Sequence, residues 1–155
     1  PSSTGYRLPS EAEWAFAARV DGDALRRFAW GNDFPPSAVV TNVADNTSAL
    51  VTGRILNGYT DQFVVSAPVG SFPANHRGLR DMGGNVAEWV HDGDAIPSPN
   101  AELAIDPLGA QRGDTYTIRG GSWALSRLSE LRLTFRDYGE RGRDDLGFRI
   151  ARYAE

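Results

Sequence analysis

Apolar residues change their spacing along this chain, and each change predicts a different element. Ser10 can cap a helix, and Glu13, three residues on, can reach back to the cap N–H. Trp14, Ala17 and Ala18 then fall on one face, so an amphipathic helix is expected from Ser10 onward. Asp21-Gly22-Asp23 ends that pattern. Phe28-Ala29-Trp30-Gly31-Asn32, followed by Pro35-Pro36, reads as a loop carrying two aromatic rings toward a core. From Ser37 to Tyr59, Asn, Asp, Thr, Ser and Gly recur without a sustained period, which predicts irregular coil.

Beyond Tyr59 the spacing shortens. Gln62-Phe63-Val64-Val65 and Ala67-Pro68-Val69-Gly70-Ser71-Phe72-Pro73 are β-like pieces, broken by proline so that neither can be a long central strand. Val86 to Val90 is another short strand candidate. A loop from Gly93 to Asp114, holding Pro97, Pro99 and Pro107, separates it from a better strand at Thr115 to Ile118. Alternation at Leu131 to Arg136, and at Leu146 to Ile150 with Leu146, Phe148 and Ile150 on one face, predicts two more strands.

Composition narrows the chemistry more than the fold. With 155 residues, 41% of them hydrophobic, the chain suits one domain with a real core. A formal charge of −4 argues against a nucleic-acid partner, which calls for a strongly basic face. All 16 basic residues are arginines, whose forked guanidinium pairs well with carboxylates. The absence of cysteine removes thiol nucleophiles, disulfides and thiolate metal sites together, but does not choose a compartment. No apolar run approaches the ~20 residues of a membrane span. The opening Pro1-Ser2-Ser3-Thr4-Gly5 has no Met and runs almost at once into a helix cap, so upstream residues are expected.

Five segments then stand in order: Tyr6-Arg7-Leu8-Pro9-Ser10-Glu11-Ala12-Glu13-Trp14; Trp30-Gly31-Asn32; Ala67 to Asn75; Gly78-Leu79-Arg80-Asp81-Met82-Gly83-Gly84-Asn85-Val86-Ala87-Glu88-Trp89; and Arg119-Gly120-Gly121-Ser122-Trp123 with Gly147-Phe148-Arg149. Together, from about Tyr6 to Ala151, they closely resemble the formylglycine-generating enzyme family, also called the sulfatase-modifying-factor domain. The resemblance implies an α+β fold, an irregular C-type-lectin-like variant rich in coil, with short strands and few helices. It also implies that residues 1–155 are the C-terminal portion of one such domain, whose first strands lie upstream.

Calcium is the cofactor the resemblance implies. The family's calcium positions correspond here to Asn42, Val43, Asp61 and Phe63 for one ion, and to Gly83, Gly84, Val86 and Glu88 for the other. Carbonyls in irregular coil around a carboxylate suit an ion that takes six to eight oxygens. The bland alternatives are loop capping by Asn42 and Asp61, and an arginine partner for a buried Glu88. Copper is not expected. The family's oxidase uses two cysteines shortly after the Arg-Gly-Gly-Ser segment, and those places hold Leu125 and Glu130. A leucine neither ligates copper nor exchanges disulfides, so formylglycine generation by that route is excluded.

Other branches of the family are iron enzymes using three histidines, or lack the cysteine pair. Here only His76 and His91 are present, and each reads first as a solvated or core-edge residue. Arg119, Arg136 and Arg149 read as ties between coil segments, and the four tryptophans as core. The resemblance places a ligand groove beside Trp123 and the charged tract Asp137 to Asp145, so Trp123, Arg127, Glu130, Arg132 and Arg143 are its candidate lining. The reading that follows is a protein- or peptide-binding module without an oxidase centre, whose partner could be its own upstream polypeptide. The alternative is a cysteine-free metal-dependent oxidase completed by upstream groups. Calcium-dependent coil favours a periplasmic or extracellular setting.

Overall fold

The computed structural model describes residues 5–95 and 114–153. The Ser10 signal is realised completely: Ser10 Oγ accepts the Glu13 N–H, the Glu13 carboxylate accepts the Ser10 N–H at 2.8 Å, and helix α1 spans Glu11–Arg19. Asp92 adds a second acceptor at this end, its Oδ2 taking the Glu11 N–H at 2.6 Å, where a carboxylate also meets the positive end of the helix. Trp14 and Ala18 form the buried stripe. The Gly22-Asp23 turn then joins β1 (Val20–Asp21) to β2 (Ala24–Leu25) as a small antiparallel hairpin.

The predicted coil holds from Ser37 to Tyr59 apart from α2 (Ala49–Thr52), a single turn. It is pinned by side chains: the Tyr59 hydroxyl accepts the Val40 and Thr41 N–H groups and donates to the Thr41 carbonyl at 2.6 Å. The main sheet comprises β3 (Ala87–Gly93), β4 (Tyr116–Arg119), β5 (Arg136–Gly139) and β6 (Leu146–Phe148), with one helical turn, α3 (Leu128–Leu131), between β4 and β5. Its order is β5-β4-β3-β6; β3 runs antiparallel to β4 and parallel to β6, so Glu88 sits opposite Arg119 on one side and Gly147 on the other.

Two apolar clusters flank this frame. Trp14, Ala18, Met82, Val90 and Leu133 pack α1 onto β3. Phe28, Val43, Leu56, Tyr59 and Leu131 form the second, with Trp30, Phe34 and Leu125 against it. The Phe28 and Trp30 rings stack at 5.1 Å, so the aromatic loop does reach the core. Arginines tie coil to coil as expected: buried Arg119 donates to the Leu133 and Phe135 carbonyls, and Arg136 bridges Glu11 and Asp94. Burial pushes the Arg119 pKa below its ordinary value, with Glu11 acting in the opposite sense.

Several expected strands are absent. Residues 62–65 and 67–73 are coil: Gln62 takes φ 77°, which turns the chain, and Val64 and Val65 are exposed. Residues 131–136 alternate because Leu131 and Leu133 are buried on either side of exposed Arg132, but they form the end of α3 and a turn, and the strand starts only at Arg136. In β6 the apolar face is the outer one, with Phe148 and the following Ile150 exposed while Arg149 turns inward to Glu88. The expected loop 93–114 and the opening Pro1 to Thr4 lie largely outside the described residues.

Candidate functional site

Gly83-Gly84-Asn85 is the hub on which the predicted sites meet. A Cβ at Gly84 would overlap Thr41 Oγ1 and the Asn42 carbonyl oxygen, so only glycine lets this backbone lie on residues 41–42. Asn85, at φ 69°, donates its N–H to the Asn42 carbonyl at 2.8 Å and accepts the Trp123 N–H on its own carbonyl at 2.8 Å. Its side chain takes the Ala67 N–H and returns a bond to the Ala67 carbonyl. One loop therefore touches the first candidate metal set, carries the second, and anchors the groove.

In the first set Asn42 is 1% exposed; its Nδ2 donates to the Val65 carbonyl at 2.8 Å, while its Oδ1 is buried with no partner. Asp61 is buried, and its two oxygens accept the Val43 and Phe63 N–H groups at 2.9 and 2.8 Å. Beside it lies Asp45, fully buried, whose Oδ2 accepts the Asp61 N–H and whose Oδ1 accepts the Thr47 N–H. Burial pushes the Asp61 pKa up; the Phe63 and Val43 N–H groups pull it down, and the Asp45 charge adds to the rise. Neither carboxylate has an ion pair among the described residues. A buried amide oxygen without a partner, and two buried carboxylates without a cation among the described residues, are donors that calcium could use; Asn42, Asp61 and the Val43 and Phe63 carbonyls would hold it. Asp45 was not singled out in the sequence; its Asp-x-x-Ser spacing to Ser48 reads as ordinary turn capping, which it also performs.

The second set is chemically different. Glu88, 4% exposed, is gripped at both oxygens by Arg149, with Nε at 2.6 Å from Oε2 and Nη2 at 2.5 Å from Oε1, and Trp14 Nε1 donates to Oε2 at 2.7 Å. Its charge is already neutralised and its lone pairs are engaged. Gly83, Gly84 and Val86 offer only main-chain oxygens, so this set does not fit an ion as it stands. Among the described residues no three or more His, Cys, Asp and Glu group so as to hold a metal.

The groove gathers only part of its expected lining. Trp123, Ala124, Leu125, Asp137, Arg143, Asp144 and Asp145 line a depression of about 370 Å³. Arg143 spans it, bound to Asp137 at 2.9 Å and to Asp145 at 3.0 Å, and Ser122 Oγ donates to Asp145 at 2.8 Å. Arg127, Glu130 and Arg132 stand instead on α3 and its ends: Glu130 turns to Arg54 at 3.7 Å and, more distantly, to Arg127 at 3.9 Å, while Arg132 is exposed. The reason is that residues 128–131 coil into a helical turn, which rotates Glu130 away from Trp123. Leu125 keeps its place at the groove and, half-buried, packs against the second cluster. His76 Nε2 lies 2.6 Å from the Val20 carbonyl and His91 is exposed, far from a shared site in either case.

The model of the sulfatase-modifying factor enzyme 1-like domain matches residues 2–154. This chain belongs to that family. The formylglycine-generating enzyme of Streptomyces coelicolor is 35% identical over 158 residues, covering 97% of this chain and 48% of that protein. The mouse protein named inactive C-alpha-formylglycine-generating enzyme 2 is 34% identical over 156 residues, covering 95% of this chain and 43% of its own. Among solved structures, Treponema denticola variable protein 1 superposes with a TM-score of 0.74 at 28% identity, over 94% of this chain and 46% of that one. The chain thus spans about half the length of the relatives it matches. Its irregular α+β fold is that of the formylglycine-generating-enzyme-like proteins, and among the described residues no helix is long and apolar enough to cross a membrane.

Proposed function

We propose that this domain binds rather than oxidises: a formylglycine-generating-enzyme-like module that presents the Trp123–Arg143 groove to a protein or peptide, or serves structurally within a larger polypeptide. The observation that carries this reading is a chain without any cysteine, in which half-buried Leu125 packs against the second cluster where the family resemblance puts an oxidase thiol. The relative named inactive supports it by placing the same kind of domain in a protein so described. Asp137, Asp144 and Asp145 outnumber Arg143 around the groove, which favours a partner segment carrying positive charge. Calcium bound by Asn42, Val43, Asp61 and Phe63 would neutralise Asp61 and Asp45 and stiffen the coil beneath the groove, and it suits a periplasmic or extracellular protein.

The test uses the full-length protein, a sulfatase-type peptide containing cysteine, oxygen and copper. No aldehyde should form, and metal analysis should find calcium without stoichiometric iron or copper. Aldehyde formation, or stoichiometric iron or copper, would establish the alternative of a cysteine-free metal-dependent oxidase. Basic peptides that bind should lose affinity in Asp144→Asn; equal binding by that variant removes the groove from the proposal.

A further inference from the structure

Another cavity borders the 140–145 loop at Glu140 and Gly142. It has a volume of about 320 Å³ and is lined by Leu8, Trp89, Val90, Tyr116, Glu140 and Gly142. Sheet register builds its aromatic corner: Trp89 on β3 pairs with Ile118 on β4, and an irregularity in β3 beyond Trp89 brings Tyr116 opposite Gly93. The two rings stand at 89° with centroids 6.3 Å apart, forming adjacent walls. Gly139, opposite Tyr116, keeps this corner in place, since a Cβ there would press on Trp89 at 3.4 Å and Ile118 at 3.3 Å.

Three exposed rings elsewhere lie under the chain's own cations: Arg7 over Tyr153, Arg77 over Phe16 and Arg152 over Tyr6. Among the described residues no arginine covers Trp89 or Tyr116, and Glu140, in the same cavity, has no ion pair. Perpendicular aromatic faces with a carboxylate are complementary to an organic cation. Leu8, Trp89 and Val90 give the cavity apolar walls. A methylated ammonium spreads its charge over methyl groups, which pack on such walls while the cation meets the ring faces and the carboxylate.

We infer that this cavity is a binding site for a small methylated ammonium compound of about choline size. It is independent of the groove and of the calcium positions, and a volume of this order lies at the small end of ligand pockets. The experiment is calorimetric titration of the full-length protein with choline and with its neutral isostere 3,3-dimethylbutanol. Choline should bind saturably and the isostere about tenfold more weakly. Tyr116→Ala should weaken choline by about tenfold, Tyr116→Phe should retain most of the affinity, and Glu140→Gln should lose several-fold together with the salt dependence of binding. Absence of saturable binding, equal affinity for the isostere, or unchanged affinity in both Tyr116→Ala and Glu140→Gln would overturn the inference. Binding to phosphatidylcholine vesicles that free choline does not compete would overturn the assignment to a small ligand.

Discussion

Glu88 on β3 and the Asp45–Asp61 pair in the coil are all buried, and the segment leading into β3 touches that coil through the Asn85–Asn42 hydrogen bond, yet the fold treats their charges in opposite ways. Glu88 receives a guanidinium fork and an indole N–H, so its ionised form is satisfied by the chain itself. Asp45 and Asp61 accept main-chain N–H groups and lie in each other's field, and the buried Asn42 Oδ1 has no hydrogen-bond partner. A buried carboxylate is satisfied most simply by a counter-charge; one region carries its own, and the other has no ion pair among the described residues. Sequence position alone made the two sets look alike.

The sharpest way to break this contrast is Arg149→Ala, which strands a buried Glu88 charge and should destabilise the domain by about 3–5 kcal/mol. Adding Glu88→Gln to it should recover part of that loss in denaturant melts. A double variant no more stable than Arg149→Ala would mean that the pair is not the source of the effect.

Calcium addition after chelation should stabilise the wild type by about 2–3 kcal/mol at a hundredfold excess over the dissociation constant. In thermal melts the response should vanish in Asn42→Ala and persist in Glu88→Gln. The reverse pattern would exchange the roles assigned to the two regions.

A third, exposed carboxylate calibrates both. Arg7 holds the Glu13 pKa down to about 2 through a charge-assisted hydrogen bond, against the opposing effect of burial. A carboxyl depressed in the folded state stabilises above its unfolded value of 4.5 and loses that contribution as pH falls toward about 2. Solvent screening limits it, so Glu13→Gln should cost about 1 kcal/mol or less at neutral pH. Its melting curve should converge on the wild type's at the acid end; a gap that stays constant with pH would assign the effect to the helix cap instead. The smallest change is expected of Arg127→Ala, whose 3.9 Å pair to Glu130 is exposed: within about 0.5 kcal/mol by chemical denaturation, setting the baseline for the others.

What the sequence revealed follows the range of the interaction. The Ser10–Glu13 cap spans three residues and was legible in full; β3, β4 and β6 were located but not bounded, since β3 runs on to Gly93 and β6 stops at Phe148. At Leu131 to Arg136 the same cue misled, because a turn can bury Leu131 and Leu133 on either side of Arg132 without any ladder. The choice between calcium and arginine at Glu88 was stated but unresolved, since Arg149 lies 61 residues away. Asp45 went unnoticed because nothing in its local sequence distinguishes a buried turn aspartate from a solvated one.

The placement of β6 also sets an order of events during synthesis. This strand joins the sheet beside β3, and the residue just past it, Arg149, is the one that neutralises Glu88. While a ribosome is still adding the residues between them, Glu88 and Trp14 can meet, but the charge they enclose has no counter-ion and β3 has an open edge. The central sheet therefore cannot lock until its last strand has emerged, and nascent chains stalled before Arg149 remain open to chaperones and proteases rather than waiting as a stable half-fold.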